Sequence, residues 1–156
     1  MAGYSGTPLP QKLGIKPGCR LGLMNAPANA AAILGALPDG VRPADAARGR
    51  GPYDVMICFV TQAARLAPAL AKLRPRLEPA GGLWIAWPKK KATTAAQASG
   101  IATDVTETVV RQVGLATGLV DNKVCAIDDV WSGLRFVVRL ADRPRPGAAA
   151  RGSGRP

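Results

Sequence analysis

The amino-acid sequence predicts an α/β protein: a small, mostly parallel sheet with helices on both faces and an antiparallel hairpin at the carboxyl-terminal end. Two strand-length runs, residues 54–60 and 83–87, are apolar at almost every position, which is typical of strands covered on both faces. Such runs alternate with helical segments, and this alternation favours parallel strands joined by crossover helices. The last two strand-like runs are close enough in sequence to pair as a hairpin.

The amino-terminal part is expected to contain an arm and two strands. Residues 1–18 form the arm, whose short helix begins near Pro8, after the capping residue Thr7, and ends at Gly14. The elements expected next are, in chain order, a strand over residues 19–24, a helix over 28–37, a short and poor strand at 41–42, and a loop over 43–53.

The rest of the chain is expected to contain the better-defined elements. They are, in order, a strand over 54–60, a helix over 61–77, a Glu-Pro-Ala-Gly-Gly stop at 78–82, a strand over 83–87, a helix over 104–113, and strands over 124–127 and 134–140. Pro68 is expected to start a new helical turn, since proline disfavours the middle of a helix. Asp104 and Glu107 form a capping-box pattern, and Gly114 is expected to end that helix.

Length and composition indicate one domain with a basic surface. The chain has 156 residues, within the usual range for one domain. We expect residues 19–142 to form it, followed by a disordered basic tail over 143–156. The net charge is +11, with +9 on residues 1–100 and +4 on the tail. A basic surface attracts nucleic acid, nucleotides or anionic lipid. The charges are scattered, however, which favours solvated side chains.

The residue types limit the chemistry and the setting. Histidine is absent, which excludes a Ser-His-Asp or Cys-His mechanism within this chain. Cys19, Cys58 and Cys125 are widely spaced and form no Cys-x-x-Cys pattern, which argues against disulfides and zinc. Buried thiols in a reducing cytoplasm are expected instead. We find no secretory signal and no apolar run long enough to span a bilayer, so no membrane partner is expected.

The segment Leu-x-Pro-x-Gly-Gly-Leu-Trp-Ile at residues 77–85, followed by a helix and a terminal hairpin, resembles the second half of class I methyltransferase folds. The resemblance implies a Rossmann-like domain. In that family a glycine-rich loop after the first strand lets the backbone approach the cofactor, and an acidic residue ending the second strand holds a ribose. Here Asn-Ala-Pro-Ala-Asn stands at residues 25–29, and no clear acidic residue ends the expected second strand.

A second resemblance covers about residues 3–140. Four segments, in the right order, look like the bacterial family known as domain of unknown function 3052. They are residues 3–9 (Gly-Tyr-Ser-Gly-Thr-Pro-Leu), 84–90 (Trp-Ile-Ala-Trp-Pro-Lys-Lys), 102–107 (Ala-Thr-Asp-Val-Thr-Glu) and 121–128 (Asp-Asn-Lys-Val-Cys-Ala-Ile-Asp). The resemblance implies the α/β fold and a cytoplasmic bacterial setting, and it implies no particular reaction.

Candidate ligand-binding residues follow from the expected sheet. In an open parallel sheet, ligands lie beyond the carboxyl ends of the strands. The candidates at these ends, and in the helix start and hairpin connection beside them, are Asn25, Trp87, Lys89, Lys90, Asp104, Asp128 and Trp131.

Each candidate also has an ordinary structural explanation. Lys89 and Lys90, together with Lys91, could hold a phosphate or carboxylate near a helix start, or they could be a solvated loop. Carboxylates grouped around Asp104 and Asp128 could hold Mg²⁺, but capping and turn roles explain both, and we expect no metal. The two tryptophans could wall a pocket or simply pack in the core.

Together these observations favour a non-catalytic binding module that holds an anionic small molecule or a protein partner at the carboxyl ends of the strands, without a cofactor. The alternative is a degenerate transferase that resembles S-adenosylmethionine-dependent methyltransferases. A weaker alternative is nucleic-acid binding through the basic surface and the tail, which would be salt-dependent. The sequence makes no prediction of the oligomeric state.

Overall fold

The structure, a computed structural model, describes residues 7–89 and 100–143. These residues form a six-stranded sheet in the order β2-β1-β3-β4-β6-β5. The strands are β1 (Leu21–Met24), β2 (Pro43–Asp45), β3 (Tyr53–Phe59), β4 (Leu77–Pro88), β5 (Leu119–Ala126) and β6 (Trp131–Val138).

Most of the sheet is parallel. Strands β1 to β4 pair in parallel, whereas β6 is antiparallel to both β4 and β5. Met24 of β1 pairs with Cys58 of β3, which pairs with Ile85 of β4. The carboxyl ends of these strands therefore meet at one edge, here called the carboxyl edge, and the opposite edge is the amino edge. The predicted α/β sheet with its terminal antiparallel pair is confirmed.

Helices cover both faces of the sheet. The described helices are α1 (Leu9–Lys12), α2 (Ala30–Leu34), α3 (Leu66–Leu73) and α4 (Glu107–Ala116), with single 3₁₀ turns at Ala63–Arg65, Arg74–Arg76 and Leu140–Asp142. The apolar residues of α3 and α4 pack with Met56 and Cys58 on one face, and those of α1 and α2 pack with Val55 and Ile57 on the other. The alternation of side chains along β3 thus gives the domain two cores.

The second strand lies two residues later than expected. The sequence analysis placed it at 41–42 and treated 43–53 as a loop, but β2 runs from Pro43 to Asp45 and pairs with β1. All three residues of β2 are exposed, so burial gives no sequence pattern there. Proline is compatible with this position because it begins a strand at the edge of the sheet.

The expected stop at 78–82 is part of β4. Tyr53 pairs with Leu77, and the next pairs start at Val55 and Gly82, so the residues between are a bulge in β4. An added Cβ at Gly81 would lie 2.5 Å from the carbonyl oxygen of Asp54. The glycine therefore permits a close approach of two backbones rather than a chain break.

The helix expected at 104–113 also differs at both ends. Its cap is Thr106, whose Oγ1 accepts a hydrogen bond from Val109 N at 3.2 Å, and not Asp104. The helix continues past Gly114 to Ala116, because the missing Cβ of Gly114 makes room for the ring of Phe136. Strand β5 begins at Leu119, five residues before the expected start.

The cysteines are free thiols, and the expectation that all are buried holds only for Cys58; Cys19 and Cys125 are partly exposed. In the described ranges we find no helix with the length and apolarity needed to traverse a bilayer. The expected disordered tail lies outside the described residues, except for Arg143.

Candidate functional site

The carboxyl edge brings together several of the predicted residues. Asn25 directly follows β1, and Lys89 directly follows β4, at the end where Trp87 also lies. The backbone N–H of Lys89 donates to the carbonyl oxygen of Val130 at 2.7 Å, which ties the end of β4 to the hairpin turn. Lys90 lies outside the described residues.

The two predicted tryptophans are core residues on opposite faces. Trp87 is 5 % exposed and packs in the core with α3 and α4. Trp131 is also 5 % exposed, but it packs in the other core, with its ring edge-to-face to Phe59 at 5.0 Å between centroids. The sheet lies between them, so they do not wall one pocket.

The two predicted carboxylates hold loops. Asp104 Oδ1 accepts a hydrogen bond from Ala63 N at 2.7 Å, which ties the segment before α4 to the turn before α3. Asp128 Oδ1 accepts from Val130 N at 2.8 Å and from Trp131 N at 2.7 Å, so it closes the hairpin turn. Over residues 7–89 and 100–143 no group of acidic or cysteine side chains could hold a metal ion.

A pocket of about 310 Å³ opens at the carboxyl ends of β1 and β2. The residues that line it are Leu23, Asn25, Ala26, Pro43, Ala44 and Asp45. Its volume lies at the lower end of the range for small-molecule sites, roughly 300–1,000 Å³. Asn25 is therefore a predicted site residue that the structure places in a cavity.

Asn25 turns the chain sharply after β1. It has φ +55°, the one positive value for a described residue other than glycine. Asparagine tolerates this left-handed region better than most residues, because its short side chain can bond locally. The backbone here makes a turn that glycine would ordinarily make, so the absence of glycine from residues 25–29 does not exclude a tight turn.

Asp45 lines this pocket and was not among the residues that the sequence analysis selected. It ends β2, on the rim of the pocket, and its Oδ1 accepts a hydrogen bond from Ala47 N at 2.9 Å. Its Oδ2 lies 3.7 Å from Arg48 Nε, and both side chains are largely exposed, so that ion pair is weak. The usable signal was Pro43 itself, which can begin an edge strand and would have moved the strand end to Asp45.

Solved structures share this fold. A SAM-dependent methyltransferase from Aquifex aeolicus is similar with a TM-score of 0.59 at 14% identity, over 83% of this chain and 87% of that one. Magnesium protoporphyrin IX methyltransferase from Synechocystis PCC 6803 with bound SAH gives 0.53 at 14%, over 84% and 78%. Human N-acetylserotonin methyltransferase with SAM gives 0.53 at 8%, over 77% of this chain but 47% of that one.

The chain therefore has the Rossmann-like fold of SAM-dependent methyltransferases. No protein-family model matches it, and no curated protein matches it. The expectation of a non-catalytic binding module is wrong: similarity to methyltransferases, two of them bound to SAM or SAH, favours the transferase alternative.

Proposed function

We propose that this protein is a transferase of the S-adenosylmethionine-dependent methyltransferase type, and that it binds the adenosyl part of the cofactor between β1 and β2. The observation that carries the proposal is the pocket at the carboxyl ends of these strands, with an acidic side chain on its rim. This is where a ligand is expected in an open parallel sheet.

Asp45 fits the ribose. A carboxylate accepts hydrogen bonds at two oxygens, and the bond from Ala47 N uses only one direction at Oδ1. The turn after Asp45 is itself fixed, since Gly49 N donates to the Asp45 carbonyl oxygen at 2.8 Å and Arg76 Nη1 donates to Ala46 O at 2.7 Å. Two ribose hydroxyls can thus donate to a carboxylate whose orientation is set before binding.

The other walls fit the flat, largely apolar surface of an adenine base. Leu23, Ala26, Pro43 and Ala44 present aliphatic atoms to the pocket. The turn at Asn25 keeps the chain close to β1, but Pro27 has no N–H to offer a carboxylate or a ribose. We therefore infer that side chains, above all Asp45, contribute more of the binding here than backbone N–H groups do.

S-adenosylmethionine, when bound, supplies a methyl group attached to a sulfonium centre. The chain's own contribution would be to hold the nucleoside at Asp45 and to present its reactive end along the carboxyl edge. Since the sequence has no histidine, we assign the rate enhancement to the positioning of two reactants, which alone can lower a barrier by about 7–11 kcal/mol in well-oriented reactions.

Calorimetric titration with S-adenosylmethionine and S-adenosylhomocysteine tests the site. We expect both to bind the unmodified protein, and Asp45→Asn to weaken binding by about tenfold or more, because the charge-assisted hydrogen bonds are lost. Asparagine keeps an acceptor for Ala47 N, so the turn should persist. Asp39→Asn is the matched control, since Asp39 is exposed and lies outside the pocket.

Two results would overturn the proposal. If neither S-adenosylmethionine nor S-adenosylhomocysteine gives binding heat or a thermal shift, the protein does not bind this cofactor. Equal affinity of the Asp45→Asn variant and the unmodified protein would remove the role of Asp45. For the reaction itself, the unmodified protein and the Asp45→Asn variant are each incubated with S-adenosylmethionine and a small-molecule cell extract. The unmodified protein should release more S-adenosylhomocysteine than the variant. Equal release would contradict the transferase assignment.

We also propose that the chain belongs to the bacterial family known as domain of unknown function 3052 and acts in the cytoplasm. Support for the family comes from the four ordered segments of the sequence, and support for the setting comes from three free cysteines. A solved structure of an accepted family member with a different strand order would contradict the family assignment.

A further inference from the structure

A second, larger cavity opens at the amino edge, so it lies at the opposite end of the strands from the β1–β2 pocket. It has a volume of about 590 Å³ and is lined by Ala71, Arg74, Pro75, Thr117 and Val138. These residues come from α3, the 3₁₀ turn that follows it, the residue after α4, and the last residue of β6. The proposed cofactor site uses none of them.

Arg74 differs from the other partly buried arginines of the described ranges, because they all have hydrogen-bond partners. Arg76 donates to two backbone carbonyls, and Arg111 pairs with two carboxylates. Arg135 donates to an asparagine, and Arg143 to the carbonyl oxygen of Val138. For Arg74 no such bond or ion pair occurs among the described residues, and its Nε is buried without a partner.

The buried Nε of Arg74 is costly because it has no hydrogen-bond partner. Burying a polar atom without a partner costs about 1–3 kcal/mol, and more when the group is charged. The dipole of α3 ends here with its negative pole and offsets part of this cost. Because Nε is buried, the terminal nitrogens of Arg74 are the groups of its side chain that can bind a ligand in the cavity.

The cavity offers one cation and otherwise mainly apolar walls. Ala71, Pro75 and Val138 provide aliphatic surface beside the guanidinium, and Arg143, bonded to the backbone of Val138 at 3.0 Å, adds a second positive charge nearby. Arginine binds the planar carboxylate group with paired hydrogen bonds. We propose that this cavity binds a small carboxylate that carries a compact apolar body, with its charge on Arg74.

Titration of the full-length protein with benzoate tests the proposal, with benzamide as the neutral isostere and inorganic phosphate as an anion without an apolar body. We expect benzoate to bind, and both benzamide and phosphate to bind more weakly. Arg74→Met keeps the length of the side chain and removes the charge, and Ala71→Leu fills the cavity from an exposed helix position. Each should weaken benzoate binding by about tenfold or more.

The matched controls are Arg139→Met, an exposed arginine at the same edge, and Ala67→Leu, an exposed position on the same helix outside the cavity. Both should leave benzoate affinity unchanged. No detectable binding of benzoate at millimolar concentration would overturn the proposal, as would equal affinity in the Arg74→Met and unmodified proteins. Equal affinity for phosphate and benzoate would overturn the claim that the ligand needs an apolar body. None of these three results bears on S-adenosylmethionine binding at the carboxyl edge.

Discussion

Gly114 provides the sharpest test of how α4 packs on the sheet. In the middle of an exposed helix, replacing glycine by alanine stabilises a protein by about 1 kcal/mol. Here an added Cβ would come within 3.0 Å of three ring carbons of Phe136, whereas ordinary contacts begin near 3.4 Å. Phe136 has no exposed surface, so its ring cannot move into solvent to relieve the overlap.

The expected effect of Gly114→Ala is therefore a loss of stability. Overpacking a core costs about 1–3 kcal/mol, and so severe an overlap belongs at the upper end. After subtraction of the helix-propensity gain, we expect the free energy of unfolding to fall by about 2 kcal/mol. Urea denaturation followed by tryptophan fluorescence measures it as a lower midpoint with an unchanged m-value.

A double-mutant cycle with Phe136→Leu separates the overlap from other causes. The smaller side chain makes room for the new methyl group, so the double variant should be more stable than additivity predicts, by about 1–2 kcal/mol. A Gly114→Ala protein as stable as the unmodified one, or a cycle with no coupling, would refute the packing described for α4 and β6.

Two further predictions concern buried groups. Trp84→Phe should lower the free energy of unfolding by about 2–4 kcal/mol. Trp84 Nε1 donates to the buried carbonyl oxygen of Leu13 at 3.0 Å, and the substitution leaves that oxygen unpaired beside a cavity. In the same denaturation assay, the loss should exceed that of Trp131→Phe. Burial raises the pKa of the Cys58 thiol from 9.0 to about 12, so the unfolded state loses its proton first. Stability should fall by about 1.4 kcal/mol per pH unit above pH 9.0 and up to pH 12, and a Cys58→Val variant titrated in parallel should lack this part of the slope.

The fold was predictable where burial determines the residue types. The runs at 54–60 and 83–87 are apolar at every position except Asp54, because both faces of β3 and β4 are covered. That pattern can be recognised without knowing which strands lie beside them. Strand β2 has no such pattern. Its residues are exposed, and its position is fixed by backbone pairing with β1. The one local signal is Pro43, since proline can begin an edge strand.

The candidate site was predictable in its location but less so in its residues. The rule that ligands lie beyond the carboxyl ends of parallel strands led to Asn25, which does line a pocket there. It also led to Trp131, which was assigned to a connection. In the structure Trp131 begins β6 and packs in a core. The strand begins three residues before residue 134, where the apolar pattern of the sequence placed its start.

The preference for a non-catalytic module rested on a cleft with lysines and tryptophans but no acid–base machinery. Two absences in the sequence argued separately against S-adenosylmethionine binding in the usual mode: a glycine-rich loop after the first strand and an acidic residue after the second. Moving β2 to its actual position places Asp45 at the strand end, so the second absence disappears. The first is a statement about residue letters, whereas the site needs a backbone conformation, and Asn25 supplies a left-handed turn without glycine. A cofactor motif is one way of meeting a geometric requirement, and where the geometry is met by other residues, the absence of the motif does not argue against the function.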